Sequence, residues 1–333
     1  MRHRIKIDDV ARLAGVSTAT VSRTLNLPEV VSSDTREKVL QAIAATGYTQ
    51  HASAQNLRRM RANSVLVLVP DIGNTFFAEI LAGIEEVASA NGMTILIGDT
   101  RGAADRESEF LTYLASGRAD GILALNGHLP ASARALAIVS ISEELDNPSV
   151  PHIGIDNTVA ACTATRHLIE LGHKRICYVE GPPSNILTKQ RYQGYRRAMA
   201  AAGLGEAFQA TVAGDFTAAS GERAAASILS MDRRPTGIFC ANDEMAMGLI
   251  SVLHANGVEV PGEVSVVGFD DIAFARTYIP ALTTIRQPRH ATGAGAMRLL
   301  LDEIGGKNVD RPAPRVQLKA DLIVRRSTAR ASS

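Results

Sequence analysis

Residues 7–26 read IDDVARLAGVSTATVSRTLN, and their spacing describes two short helices about a tight turn. Val10, Ala11, Leu13 and Ala14 place apolar side chains on one face of the first helix, with Asp8 and Asp9 at its positive end. Gly15 ends that helix, because glycine enters the left-handed conformation without a Cβ penalty, and Ser17 caps the next. Val21 and Leu25 face inward at i and i+4, which leaves Thr18, Ala19, Ser22 and Arg23 outward. Small polar residues and an arginine on an exposed second helix fit a helix-turn-helix whose recognition helix enters the major groove. An ordinary surface hairpin of helices fits the apolar pattern alone equally well.

Downstream, Ser32 or Ser33 caps a third helix, Asp34 sits in its first turn, and Val39, Ala42 and Ile43 form its apolar stripe before Gly47 ends it. The reading is an all-α headpiece over residues 1–48, with a core small enough to be marginal. Residues 49–63, TQHASAQNLRRMRAN, are polar, basic and rich in helix formers. Taken alone they fit a flexible linker as well as a short helix.

The string AxLAGVSxxTVSRxLN, continued by Val31, Ser32, Thr35, Arg36, Val39, Ala42, Gly47 and Tyr48, closely resembles the N-terminus of the lactose/galactose repressor family. The resemblance implies a homodimer on a palindromic double-stranded DNA operator, contacted through Ser17, Thr18, Ala19, Thr20, Ser22, Arg23 and Asn26. It also implies that residues 49–63 form a hinge helix, with Leu57 of ASAQNL wedged into the minor groove. Gln50, where the family commonly has proline, and Ser53, where it commonly has an aliphatic residue, depart from that pattern.

From Ser64 onward, short aliphatic runs such as SVLVLVP, MTILIGD, HIGID, RICYVEG, GIFCAND and VSVVGFD alternate with helical segments. Strand, helix, strand in two sets means an α/β body of two lobes with parallel sheets. This resembles the two-lobed periplasmic-binding-protein-like body of the same family, with lobes at approximately 64–156 plus 286–316 and 157–285 plus 317–330. The whole of 64–333 is then the effector-binding and dimerisation domain.

Ligands of open parallel sheets bind beyond the carboxyl ends of the strands, which directs attention to Asp71, Asn74, Phe76, Phe77, Asp99, Asn126, Asp156, Asn242, Asp243, Asp270 and Asp271. By the resemblance, Asp156, Arg191, Asn242 and Asp270 hold ligand hydroxyls, Phe77 and Phe216 pack on ligand faces, and Asn126 and Gln287 line the cleft. Asp and Asn after a strand also commonly cap the next helix, the reading kept here for Asp243 and Asp271. Segments such as VPDI, LIGD, IDN, GHKRI and GDFT are similar to the cytidine-responsive branch of the family. The expected small-molecule effector is therefore a nucleoside, with a sugar or sugar phosphate as the alternative. A phosphate would call on Arg191, Arg101 and Arg289.

The 333 residues are 46% hydrophobic and 21% charged, with no apolar run near 18 residues, so neither a membrane span nor a disordered chain is expected. Residues 1–62 hold ten Lys/Arg against five Asp/Glu, whereas the rest of the chain has 25 against 29. The basic surplus coincides with the headpiece, as phosphate contacts require. MRHRIKIDD lacks an apolar segment behind its basic residues, so a secretory signal is not expected and the setting is cytoplasmic. Cys162, Cys177 and Cys240 suggest neither disulfides nor a metal site. GxGxxG after a strand, GxxxxGK[ST], GxSxG and HExxH are all missing, so neither an enzyme nor a cofactor is expected. A solute-binding protein is the rival on the body alone. After Arg326 only STARASS remains, without a heptad repeat, so a dimer rather than a tetramer is expected.

Overall fold

The computed structural model describes residues 5–48, 61–127, 137–145, 147–306 and 312–331, which fall into two compact units, one through Arg61 and one from Ala62. Most of the hinge segment read from the sequence, including Leu57, lies outside the described residues.

The first unit contains α1 (Ile7–Ala14), α2 (Thr18–Asn26) and α3 (Ser33–Thr46). Gly15 and Gly47 close α1 and α3 at φ 68° and 65°, in the left-handed region that glycine enters freely. Val10, Ala11, Val21, Val39 and Ala42 form the buried centre, flanked by Ile7, Ala14, Val16, Leu25, Ile43 and Tyr48. Leu13 departs from the expected face and is 58% exposed. At about 100° per residue it points some 110° from the mean direction of Ile7, Val10, Ala11 and Ala14, outside the buried stripe.

The second unit is built on two six-stranded sheets. The first has the order β11-β5-β4-β3-β1-β2 and the second β12-β10-β9-β8-β6-β7. In the first lie β1 (Ser64–Val69), β2 (Thr94–Asp99), β3 (Gly121–Ala124), β4 (Ile138–Ile141), β5 (His152–Ile155) and β11 (Arg315–Leu318), all parallel. In the second lie β6 (Ile176–Val179), β7 (Gln209–Val212), β8 (Gly237–Cys240), β9 (Ser265–Asp270), β10 (Thr283–Arg286) and β12 (Asp321–Ile323), with only β12 antiparallel. β1 is buried at all six positions of SVLVLV, as a strand covered by helices on both faces must be.

Those helices are α4 (Phe76–Ala90), α5 (Ala104–Ala115), α6 (Asn157–Glu170), α7 (Ile186–Ala201), α8 (Ala218–Leu229), α9 (Asp243–Ala255) and α10 (Arg289–Ile304). Glycine lets them cross closely. A Cβ on Gly293 of α10 would meet the Ile80 carbonyl oxygen of α4 at 2.0 Å, and one on Gly221 of α8 would meet that of Met245 in α9, also at 2.0 Å. The chain passes between the sheets three times: after β5, after β10 and between β11 and β12. β10 ends at Arg286 within the second sheet and β11 continues to Leu318 in the first, so the last crossing falls two residues beyond the expected boundary.

Candidate functional site

In the headpiece, Ser17 Oγ accepts from Thr20 N at 3.1 Å and lies 2.9 Å from Thr20 Oγ1, the capping expected of a recognition-helix start. Val21 and Thr24 face the core, the Thr24 hydroxyl donating to the Thr20 carbonyl. Thr18, Ala19 and Arg23 are exposed, and Ser22 and Asn26 are half-buried. The Asn26 amide donates to the Ser22 carbonyl at 2.7 Å, so these two are brought together on the helix. The outward face of α2 is therefore small and polar around one long cation, chemistry that suits base edges in a groove.

In the second unit the carboxyl ends of both sheets border a cavity of about 430 Å³. Six of the expected effector residues line it: Phe77, Asn126, Arg191, Phe216, Asn242 and Asp270. Gln287 and Asp156 do not. Gln287 is buried behind the cavity and donates to Asp270 Oδ1 at 2.7 Å. Asp156 lines a separate cavity with His152, Gln190, Arg315 and Gln317. As the residue preceding α6 it has non-helical backbone, and its Oδ1 accepts from Val159 N at 2.9 Å. Asp156 thus caps α6 and borders that separate cavity, not the one between the sheet ends. Asp243 and Asp271 are structural: Asp243 accepts from Ile272 N and the Thr284 hydroxyl, and Asp271 pairs with Arg286 and Arg325.

Arg191 and Asp270 form the polar floor. The Arg191 guanidinium lies 3.8 Å from the Phe269 ring centroid, donates to Asn157 Oδ1 and the Ala241 carbonyl, and stands 3.8 Å from Asp270 Oδ1. Gln287 and Arg191 both address Oδ1. Among the described residues Asp270 Oδ2 accepts no protein hydrogen bond. Burial pushes the Asp270 carboxyl up to about 6, against the opposing pull of Arg191 and Gln287. Burial likewise lowers Arg191 and raises Asp243 well above the usual range, Asp270 adding to the latter. Asp270 adopts φ 114° and Phe216 φ 68°, both in the left-handed region, strain of a kind that gathers at binding sites.

Asn242 is committed to the frame, its Oδ1 capping Met245 N at 3.0 Å and its amide donating to the Phe216 carbonyl at 2.8 Å. The half-buried Phe216 ring lies over Gly181, where a Cβ would approach Phe216 Cζ to 2.3 Å. The two lobes also touch directly at the cavity. Thr75 donates through N and Oγ1 to Glu244 Oε1, and Asn185 Nδ2 donates to Glu143 Oε1 at 2.9 Å.

Glu107, Glu143, Asn185, Asp215 and Glu244 line the cavity without having been singled out from the sequence. Asn185 had a usable signal, since it follows the aliphatic run ICYV by the same strand-end rule; Glu107, in the first turn of α5, reads like any acid at a helix N-terminus.

A helix-turn-helix head on a body of two parallel-sheet lobes around a polar cleft defines the class of ligand-responsive, DNA-binding transcription regulators. Residues 6–50 match the family described as bacterial regulatory proteins, lacI family, and residues 165–328 a periplasmic binding protein-like domain. The HTH-type transcriptional repressor CytR of Escherichia coli (strain K12) is 39% identical over 332 residues, 96% of this chain and 95% of that protein. The HTH-type transcriptional repressor PurR of Vibrio campbellii is 34% identical over 96% of this chain and 97% of its own length. The lac repressor dimer, solved bound to operator and the anti-inducer ONPF, superposes with a TM-score of 0.87 at 26% identity, covering 98% of this chain and all of that one. The chain belongs to the lacI family of transcriptional repressors. No helix among the described residues is long and apolar enough to cross a membrane.

Proposed function

We propose that this protein is a cytoplasmic repressor whose operator affinity is set by an uncharged, hydroxyl-rich ligand in the cleft, a nucleoside. The observation that carries the reading is the Asp270 carboxylate, a buried residue that lines the cavity and has its protein partners on Oδ1, beside the buried guanidinium of Arg191. A carboxylate accepts from one hydroxyl while the guanidinium donates to its neighbour, the pairing a ribose diol needs. Phe77 and Phe216 supply apolar faces for a flat base in a chain without tryptophan. Among the described residues, six lining carboxylates, Asp71, Glu107, Glu143, Asp215, Glu244 and Asp270, outnumber Arg101 and Arg191, a balance hostile to a phosphate. Calorimetry with cytidine, adenosine, inosine, ribose and a hexose panel tests the class; binding of a hexose and no nucleoside ends the nucleoside reading.

A free sugar is the second reading, because a pyranose offers Asp270 and Arg191 the same neighbouring hydroxyls. Thr18, Ala19 and Arg23 read bases, and Ser17, Thr20, Ser22 and Asn26 support them at the backbone. One such helix per chain suits a homodimer on a near-palindromic site, with ligand and operator altering each other's affinity by one common factor. Sedimentation should find a dimer at micromolar concentration, and a tetramer there would contradict this assembly.

A further inference from the structure

Glu244 lies in the first turn of α9 in the second lobe, yet the hydrogen bonds it accepts come from the first. Its Oε1 takes Thr75 N at 3.2 Å and Thr75 Oγ1 at 3.1 Å, at the residue that precedes α4. The Thr75 hydroxyl does not cap its own helix and is turned to the other lobe. One half-buried carboxylate thus stands at the positive ends of two helices, one from each lobe, where negative charge is favoured by both. Met247, three residues along α9, packs on the cores of both lobes and brings the helices together without fixing their register. The paired hydrogen bonds supply the direction.

What they position is the width of the cleft. Phe77, in the first turn of α4, and Asn242, which precedes α9, line the cavity from opposite lobes. Arg289, just after a crossing, ties the same turn of α4 to the second lobe by donating to the Phe76 and Asp271 carbonyls. Neither Thr75 nor Glu244 belongs to a crossing, so their contact can part as the lobes swing open. We infer that Glu244 is a positioning residue that holds the lobes at the spacing which grips ligand, so that its bond to Thr75 sets the closed population and with it ligand affinity. This role rests on a ligand between the lobes, as proposed above, and holds for a nucleoside or a sugar alike.

Hydrogen exchange on the ligand-free, full-length protein reads the contact by itself: Glu244→Ala should speed exchange in a peptide spanning residues 71–80, in the other lobe, by about tenfold. Calorimetry and surface plasmon resonance then use whichever of cytidine, adenosine, inosine, ribose and the hexoses binds tightest. Glu244→Ala should weaken binding about tenfold, chiefly through a faster off-rate, and Glu244→Gln, which keeps an acceptor oxygen, should recover part of the loss. Thr75→Val should cost about threefold, although Thr75 lies outside the cavity lining, and nothing further in the Glu244→Ala background. Exchange unchanged by Glu244→Ala, or additive losses in the double variant, overturns the positioning role. So does wild-type affinity in Thr75→Val beside a weakened Glu244→Ala, which makes Glu244 a ligand contact instead. Absence of binding by the whole panel refutes the nucleoside and sugar readings and not the contact, which exchange alone decides.

Discussion

Gln287 donates to Asp270 Oδ1 at 2.7 Å, so a residue on one of the three lobe crossings holds the carboxylate on which ligand recognition turns. Arg191 reaches the same oxygen from α7, and the β9 end keeps Asp270 at φ 114°. The acceptor is thereby aimed by groups that themselves never meet the ligand, or meet it only in part, the support that a precise site requires.

The first prediction concerns acidity at that carboxylate. Burial raises Asp270 from the ordinary 3.8 to about 6, so the native state holds its proton more tightly than the unfolded chain does. This contribution to stability is complete below about pH 4 and is lost as pH rises to about 6, a change of about 3 kcal/mol. Asp243, raised in the same sense, adds to the slope. Ligand affinity should run the other way, steady above pH 7 and falling below 6 as the acceptor is protonated. Urea unfolding and calorimetry from pH 4.5 to 8 read both, and Asp270→Asn should flatten the affinity profile.

The Arg23 side chain is exposed on α2 and makes no hydrogen bond or ion pair among the described residues. As a bidentate reader of guanine it should cost about 1–3 kcal/mol when changed to alanine and relax preference at one position per half-site. Fluorescence anisotropy across singly substituted operators measures this. An equal loss on every sequence means that Arg23 touches phosphate instead.

Gly181→Ala should act on ligand and not on DNA. Its Cβ would come within 2.3 Å of Phe216 Cζ and 2.6 Å of Thr188 Oγ1, so the ring must leave its seat. We expect a stability loss of about 1–3 kcal/mol and ligand affinity about tenfold weaker, with operator binding of the ligand-free protein unchanged. Affinity at the wild-type level would show that the ring does not face the ligand.

Leu57 lies outside the described residues, and its role as a minor-groove wedge is read from the sequence. Leu57→Ala should weaken specific binding and leave nonspecific, salt-dependent attachment almost untouched. An unbent operator with unaltered affinity in a circular-permutation gel assay would make the segment a plain linker.

The headpiece was legible because its signals are local. Gly15, Ser17 and Gly47 do at the helix ends what their chemistry allows, and Val21 and Val39 keep their spacing. Leu13 was misplaced because an apolar residue near a stripe was counted with it, when its angle sets it outside. In the body, the alternation of aliphatic runs and helices conveyed both sheets, yet the strand-end rule could not separate a cap from a ligand contact. Asp156 and Asn242 both cap helices, and only the three-dimensional course of the chain decides that Asn242 also borders the cavity. Glu107 was invisible for the opposite reason: an acid that suits a helix start carries no mark of the cavity into which α5 turns it.

The weaving of the chain between the sheets also sets a schedule for synthesis. β5 pairs along one edge with β11, whose first residue, Arg315, is made long after its partner His152, and β12 follows later still. Neither lobe can finish its sheet until almost the entire body has left the ribosome, while the three headpiece helices are complete by Thr46. At about 5–20 residues per second, a DNA-reading head precedes its own chemical control by roughly 15–55 s. In that interval each newborn chain has its DNA-reading helices but not yet the finished cleft through which a ligand could change their hold on DNA.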